Sequence, residues 1–352
     1  MGRENHTFVL AERPQGDIIP GQTFRLETSP APTADQLKDG EILVEALYLS
    51  LDPAMRGWLN DARSYLPPVG LNEKMRGSAV SRVLASKNPK VKEGDLVNAL
   101  CGWTEVCIVN EQQFDVVDVP KGGKVTDAIG ILGLTGLTAW CGLHHIGKPK
   151  AGETVVVSGA AGATGSIVGQ ICKIKGCRVV GIAGTDDKCA WLKNDLGFDV
   201  ALNYKSPNFK KEFAEATPDY IDMYWDNVGG EILELALHRA KFHARFVMCG
   251  SISGYNNPGR NASGDGVRNL FQVVAQRIRM EGFIVFDFAA DHAQGRKELA
   301  QWLSEGKLQR KETIIPGGLE VADKAILTLF EGKNTGKLLV EIKPYEVRSA
   351  RL

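Results

Sequence analysis

The chain has 352 residues, 43% of them hydrophobic and 24% charged, with 42 Lys and Arg against 42 Asp and Glu. That composition is normal for a folded protein long enough for two domains. The balanced charge speaks against a nucleic-acid binder, which shows a basic excess or stripe. No apolar run is long enough to cross a bilayer. The opening Met1–His6 has no signal-peptide apolar core behind it, Met-Gly lacks the Ser or Thr that myristoylation needs, and Ala350-Arg351-Leu352 matches no tripeptide address. Seven cysteines, at 101, 107, 141, 172, 177, 189 and 249, form no C-x-x-C pair. Reduced thiols in a cytoplasmic protein are the expectation.

The first 125 or so residues read as strand and turn. Glu41–Leu49, Gly77–Leu84 and Leu96–Leu100 are strand-like runs, and Lys92–Asp95 reads as a tight turn before the last of them. Short strands at this spacing predict a small β-barrel or sandwich. Near Asp127 the pattern changes. Val155–Val157, Arg178–Ala183, Val200–Leu202, Tyr220–Asp226 and Ala244–Cys249 are apolar or β-branched runs. Helical periods over Ile167–Lys175 and Cys189–Leu196 alternate with them. Such alternation predicts a parallel, doubly wound sheet. After about residue 313 the β pattern returns and ends in Lys337–Ile342. The expected α/β organisation is a Rossmann-type domain over 128–313, inside a β-rich domain over 1–127 that 314–352 completes. Gly254–Gly266 is the one candidate for a long mobile loop.

The sharpest local signal is Val155–Gly165, which follows a strand and opens a helix. Its dinucleotide fingerprint reads Ala160-x-Gly162-x-x-Gly165 in place of G-x-G-x-x-G. Gly162 lets the backbone approach a pyrophosphate, and Gly165 lets helix pack on strand. Ala163 and Thr164 lie between them, where a helix N-terminus offers unpaired N–H groups. The next strand ends in Ile182-Ala183-Gly184-Thr185, without the acid that binds the ribose of NAD. Lys188 follows and suits a 2′-phosphate, so NADPH/NADP is favoured. The plainer reading is that Thr185-Asp186-Asp187 caps a helix and Lys188 is solvated.

Leu51–Gly57, Gly133–Ala139, Ala160–Ser166, Asn203-Tyr204-Lys205, Asp226–Gly230, Cys249–Asn256 and Gly332–Lys337 occur together in this order. With them the chain resembles the zinc-independent medium-chain dehydrogenase/reductases, in the branch of leukotriene dehydrogenases/prostaglandin reductases and alkenal double-bond reductases. The resemblance implies a GroES-like domain beside the Rossmann domain, a homodimer, and NADPH-driven reduction of the carbon–carbon double bond of enals and enones. It also implies site roles. Gly162–Gly165 hold pyrophosphate, Lys188 and Tyr204 meet the 2′-phosphate region, and Asn227 approaches along the sheet edge. Cys249, Gly250, Ser251, Ile252, Ser253 and Tyr255 run beside the nicotinamide ribose. Phe283, Ile284, Val285 and Asn334 close over the nicotinamide end. Ala54, where relatives often have Tyr, Gly254, in place of a larger residue, and Trp58, in a variable segment, are departures that bear on substrate.

Other chemistry finds less support. A catalytic zinc needs three protein ligands, and the Gly-His-Glu motif of zinc-dependent relatives is missing. His144 and His145 are adjacent, so they do not share one helix face. His238 and His243 read as surface or helix-end residues, and no G-x-S-x-G elbow supports a hydrolase. The expected mechanism is conjugate reduction, in which hydride adds to the β-carbon and a donor steadies the enolate oxygen. Tyr255 is the candidate catalytic residue, as donor or as proton source. A zinc-independent quinone or alcohol oxidoreductase is the alternative on the same scaffold. A non-catalytic NADPH-binding protein is the alternative of another class.

Overall fold

The computed structural model describes residues 2–257 and 267–345. Of the expected long loop Gly254–Gly266, everything after Asn257 lies outside the described residues. Seven strands precede the parallel sheet: β1 (Glu4–Leu10), β2 (Phe24–Pro30), β3 (Ile42–Leu51), β4 (Ala79–Ser86), β5 (Leu96–Ala99), β6 (Val106–Val109) and β7 (Phe114–Val116). Six form that sheet: β8 (Thr154–Val157), β9 (Arg178–Ala183), β10 (Val200–Asn203), β11 (Ile221–Asp226), β12 (Ala240–Met248) and β13 (Arg279–Gly282). β14 (Glu312–Pro316) and β15 (Lys337–Glu341) close the chain. The hairpin β1–β2 has no counterpart in the expected elements.

β14-β15-β3-β4-β5-β7 form one sheet, and β6 adds to β3. β3 is its spine: residues 42–45 pair with β6, residues 48–51 with β15, and β4 runs along nearly its whole length. That is why Ile42–Leu51 is buried almost throughout instead of alternating. The Lys92–Asp95 turn forms as expected: Asp95 N donates to the Lys92 carbonyl at 3.1 Å, and Gly94 takes a φ of 91°.

The parallel sheet runs β10-β9-β8-β11-β12-β13. Counted from β8 in chain order, that is 3-2-1-4-5-6, the Rossmann order. The period of two along each strand feeds two cores. Val155, Val157, Met223, Trp225 and Val247 face one layer, with Leu137, Ile167, Val168, Ile171 and Leu299. Val156, Tyr224 and Phe246 face the other, with Phe209, Phe213, Ile232 and Leu233. Each such fully buried apolar side chain contributes about 1.5–3 kcal/mol. The expected helices start earlier than their apolar periods: they are Ala163–Ile174 and Asp186–Asn194. In both, the first turn is polar or small and hides the start; only the second is capped by a side chain, that of Thr185.

The expectation for His144 and His145 fails. They lie in a π-helical turn, Gly142–Gly147, and their rings sit 4.9 Å apart. Both also meet Trp140, at 4.5 and 6.3 Å, and His145 stacks on Phe288 at 4.2 Å. Aromatic stacking, in a turn wider than an α-helix, gathers neighbours that a regular helix separates.

Candidate active site at the carboxyl ends of the parallel strands

The sheet order reverses between β8 and β11, and ligands bind in the crevice beyond such strand ends. The turn after β8 supplies the first wall. Gly159 takes a φ of 56°, so it is the tight-turn glycine. Ala160 is therefore not a departure at that role, which lies one residue earlier. Gly162 is the N-cap of the helix Ala163–Ile174. A Cβ on Gly165 would lie 2.4 Å from the Gly159 carbonyl oxygen, so only glycine packs there. The N–H groups of Ala163, Thr164 and Gly165 have no intrahelical acceptor, the arrangement that suits an anion.

β11 supplies the second wall. Asp226 is fully buried, and its Oδ1 accepts from Ser158 Oγ (2.8 Å), Tyr224 (3.0 Å), Val228 N (3.0 Å) and Gly229 N (2.9 Å). Burial raises its pKa, against the pull of those donors. Asn227 donates Nδ2 to the Ser158 carbonyl at 2.7 Å and accepts from Trp225 Nε1 at 3.0 Å. Its amide thus locks the two strand ends together. Asp226 and Ser158 carry this lattice, and the sequence reading missed both; the Asp-Asn-Val-Gly-Gly run was the available signal.

The segment after β12 is laced to that wall. Cys249 N and Gly250 N donate to the Asp226 carbonyl at 2.9 and 3.0 Å. Ile252 N donates to Asn227 O at 3.1 Å and Ser253 N to Val228 O at 3.2 Å. Tyr255 curls back so that its hydroxyl accepts from Ser251 N at 3.2 Å. Among the described residues its own proton has no acceptor. Burial raises the Tyr255 pKa, and Cys249, Tyr65 and Asp226 nearby add to the rise, so the phenol is neutral at pH 7. Burial likewise pushes the Cys249 thiol up to about 12. Phe283 packs edge-on to Trp225 at 5.7 Å. Ile284 N donates to Asp287 Oδ2 at 3.2 Å, and Val285 is buried with its carbonyl 3.0 Å from His292 Nε2. Across the cleft, Trp58 Nε1 donates to the Tyr65 hydroxyl at 2.7 Å.

A cleft of about 420 Å³ opens beyond β9 and is lined by Lys188, Lys205, Lys311 and Lys333, with Asp187 and Glu331. The helix cap of the plainer reading is present, Thr185 accepting from Lys188 N, while Lys188 Nζ donates to the Gly332 carbonyl at 2.8 Å. Burial, then Lys205, lowers the Lys188 pKa. Tyr204 lies against Gly184, where a Cβ would be 3.0 Å from its ring. Lys311 and Lys333 come from the far end of the chain, beyond the reach of local pattern. The loop that carries Lys333 crosses the dinucleotide turn: Gly336 N donates to the Ala161 carbonyl at 2.8 Å. Asn334 lies in this loop and donates Nδ2 to the Gly336 carbonyl at 2.9 Å.

A Rossmann sheet with a phosphate turn, fused to a β-rich domain, defines a dinucleotide-linked oxidoreductase. The family described as "N-terminal domain of oxidoreductase" matches residues 6–117, and "Zinc-binding dehydrogenase" matches residues 163–305. Among the described residues no group of three His, Cys, Asp or Glu is placed to hold a metal ion. Prostaglandin reductase 1 of Bos taurus is 41% identical, over 90% of this chain and 93% of that protein. The NADP(+)-dependent 2-alkenal reductase of Nicotiana tabacum is 40% identical, over 86% and 87%. The crystal structure of CurA in complex with NADPH from Vibrio vulnificus superposes with a TM-score of 0.88 at 39% identity, over 97% of this chain and 100% of that one. The chain belongs to the medium-chain dehydrogenase/reductases, in the branch of the prostaglandin and alkenal reductases, and is an NADP-dependent oxidoreductase. No helix among the described residues is long and apolar enough to cross a membrane.

Proposed function

We propose that this enzyme reduces the carbon–carbon double bond of α,β-unsaturated aldehydes and ketones, with Tyr255 as hydrogen-bond donor to the substrate oxygen. The observation that carries the reading is the Tyr255 hydroxyl. It accepts a backbone bond from Ser251, is a phenol whose pKa is raised further by partial burial, and has its proton free to donate. The names of the alkenal and prostaglandin reductases support the substrate class.

The residues present fit NADPH. A helix start free of side chains at Gly162 takes the pyrophosphate, and the lysine cleft with Tyr204 takes the 2′-phosphate. Asn227, Cys249–Ser253, Phe283–Val285 and Asn334 line the rest of its path. Bound NADPH supplies the hydride. Tyr255 then faces the negative charge that develops on the carbonyl oxygen, where a preorganised donor lowers the barrier. A neutral phenol is a good donor and a weak acid, so stabilisation is its main role, and water supplies the α-carbon proton. Trp58 and Tyr65 bound the substrate side.

We take residues 1–127 with 314–352 as the substrate-side domain and 128–313 as the cofactor domain, in a cytoplasmic enzyme. We also read the protein as a homodimer joined along β13, the edge of the parallel sheet. Phe242, Leu270, Phe271 and Val274 are exposed in the elements beside that edge. The deciding experiment follows NADPH oxidation over a panel of enals, enones, quinones and alcohol–carbonyl pairs. Turnover on enals and enones, with the saturated carbonyl as product, is the expected result. Turnover confined to quinones or alcohols would overturn the substrate class. Tight NADPH binding with no turnover on any of them would overturn the catalytic reading.

A further inference from the structure

The motif Leu51–Gly57 contains an arginine that the reaction above does not use. Arg56 is completely buried, yet among the described residues no carboxylate pairs with it. Its Nε and Nη2 donate to the Gly16 carbonyl at 3.1 and 2.7 Å, and Nη2 also donates to the Pro14 carbonyl at 3.1 Å. Nη1 donates to Asn60 Oδ1 at 2.7 Å. A buried cation is tolerated only where its donors are satisfied. Here three of the four bonds go to the backbone of one short loop. Arg13 adds a bond from Nη1 to the Leu59 carbonyl at 2.7 Å. The loop 13–16 is therefore pinned to the segment 56–60.

The next residue reaches the other way. Asp17 Oδ1 accepts from Asn256 Nδ2 at 2.5 Å. Asn256 directly follows Tyr255, and Gly16 lies against it: a Cβ there would be 3.8 Å from the Asn256 carbonyl oxygen. Asn256 Oδ1 is buried with no partner among the described residues, so Asp17 is the anchor of that side chain. A strap thus runs from a buried cation in the β-rich part of the chain to the residue beside the donor on the Rossmann side.

We propose that Arg56 and Asp17 are positioning residues for Tyr255, with the 13–17 strap and the Asp17–Asn256 bond fixing the tyrosine from across the cleft. The proposal rests on Tyr255 being the donor to the substrate oxygen. Asp17 is exposed, so its bond adds little stability. Its worth is orientation, because a donor about 1 Å out of place loses much of its effect on a transition state.

The test uses Asp17→Ala, whose exposed site leaves the core intact, in the wild-type and the Tyr255→Phe backgrounds. Single-turnover hydride transfer to an enone should slow roughly tenfold in the first background and stay unchanged in the second. NADPH affinity, read by fluorescence, should not move. The reversed pair, Asp17→Asn with Asn256→Asp, keeps one amide and one carboxylate and should restore the rate. A second readout needs no cofactor. The ¹³Cζ resonance of Tyr255, assigned by its loss in Tyr255→Phe, should titrate at higher pH than an ordinary tyrosine in the wild-type protein and move down towards that ordinary value in Asp17→Ala, as the less firmly held ring becomes more exposed. Equal slowing in both backgrounds, or an unchanged rate with an unmoved titration, overturns the proposal. If Tyr255→Phe alone leaves transfer unchanged, the donor reading itself fails, which is a separate and recognisable result.

Discussion

Tyr255 and Lys188 act on different steps, and their substitutions should separate cleanly. Tyr255→Phe keeps the ring and removes only the hydroxyl, which lies against Gly250. Loss of one donor to a developing oxyanion costs roughly a hundredfold or more where it is irreplaceable. Here the expected fall in turnover number is about tenfold to a hundredfold, because a cofactor ribose hydroxyl remains as a second donor. NADPH affinity should stay within a factor of about two, since the lost interaction belongs to the transition state. Single-turnover transfer to an enone checks this, and an unchanged rate would reduce Tyr255 to a residue that shapes the pocket. Lys188→Ala should instead raise the Michaelis constant for NADPH about tenfold, near 1.4 kcal/mol, and barely change that for NADH. The loss sits at the low end for a charged contact because Lys205, Lys311 and Lys333 still line the cleft. The helix itself is spared, as its cap bond uses the Lys188 backbone N–H. Equal effects on the two cofactors would remove the 2′-phosphate role. Residues in contiguous motifs, such as Tyr255 and Lys188, were legible in the sequence. Lys311 and Lys333 were not, because a cleft assembled from positions more than a hundred residues apart leaves no local pattern.

The strands of the parallel sheet were legible for a related reason. β9 matches its expected run end to end, β8, β10, β11 and β12 differ from theirs by a few residues, and the polar edge strand β13 had no expected run. Continuous apolar runs are what a strand buried on both faces requires. The hairpin β1–β2 was not legible, because β2 is mostly exposed and carries no alternating apolar face. Nor did the sequence show that the loop 331–337 crosses the phosphate turn. Gly336 makes that crossing possible. It has a φ of 67°, and a Cβ on it would lie 1.9 Å from the Lys311 carbonyl oxygen. Gly336→Ala must therefore move backbone, at a cost of at least about 2 kcal/mol from strain and overlap. The bond from Gly336 N to the Ala161 carbonyl should go with it, loosening both the phosphate turn and the lysine cleft. We expect a lower urea midpoint for the protein without cofactor, together with weaker NADPH binding. A substitution that left both unchanged would show that this crossing supports neither the fold nor the cofactor site.

At the scale of the whole molecule, the open edge of the parallel sheet poses a problem that a second copy would solve. Among the described residues β13 has a strand partner on one side only, and proteins normally cover, charge or pair such an edge. Its sequence is Arg279-Met280-Glu281-Gly282. In an antiparallel pair related by a two-fold axis through Met280, Arg279 of one copy faces Glu281 of the other, and the reverse contact follows by symmetry. Within one copy the two charges already pair side by side on the same strand face, so the edge is complementary to itself. Phe242, Phe271 and Val274, 64%, 74% and 68% exposed, would flank the joined sheets and lose that exposure. Glu281→Arg places like charges at both symmetric positions. Each cross-strand pair swings by about 0.5–2 kcal/mol, so the dissociation constant should rise from about fivefold to several hundredfold. Sedimentation velocity should show wild-type protein at twice the 38.2 kDa chain mass, with the variant shifted towards the single chain at micromolar concentration. The double exchange, Arg279→Glu with Glu281→Arg, recreates a self-complementary edge and should recover the dimer. A wild-type protein that sediments as a single chain would overturn the homodimer. A Glu281→Arg variant that dimerises as well as wild type would move the interface away from β13.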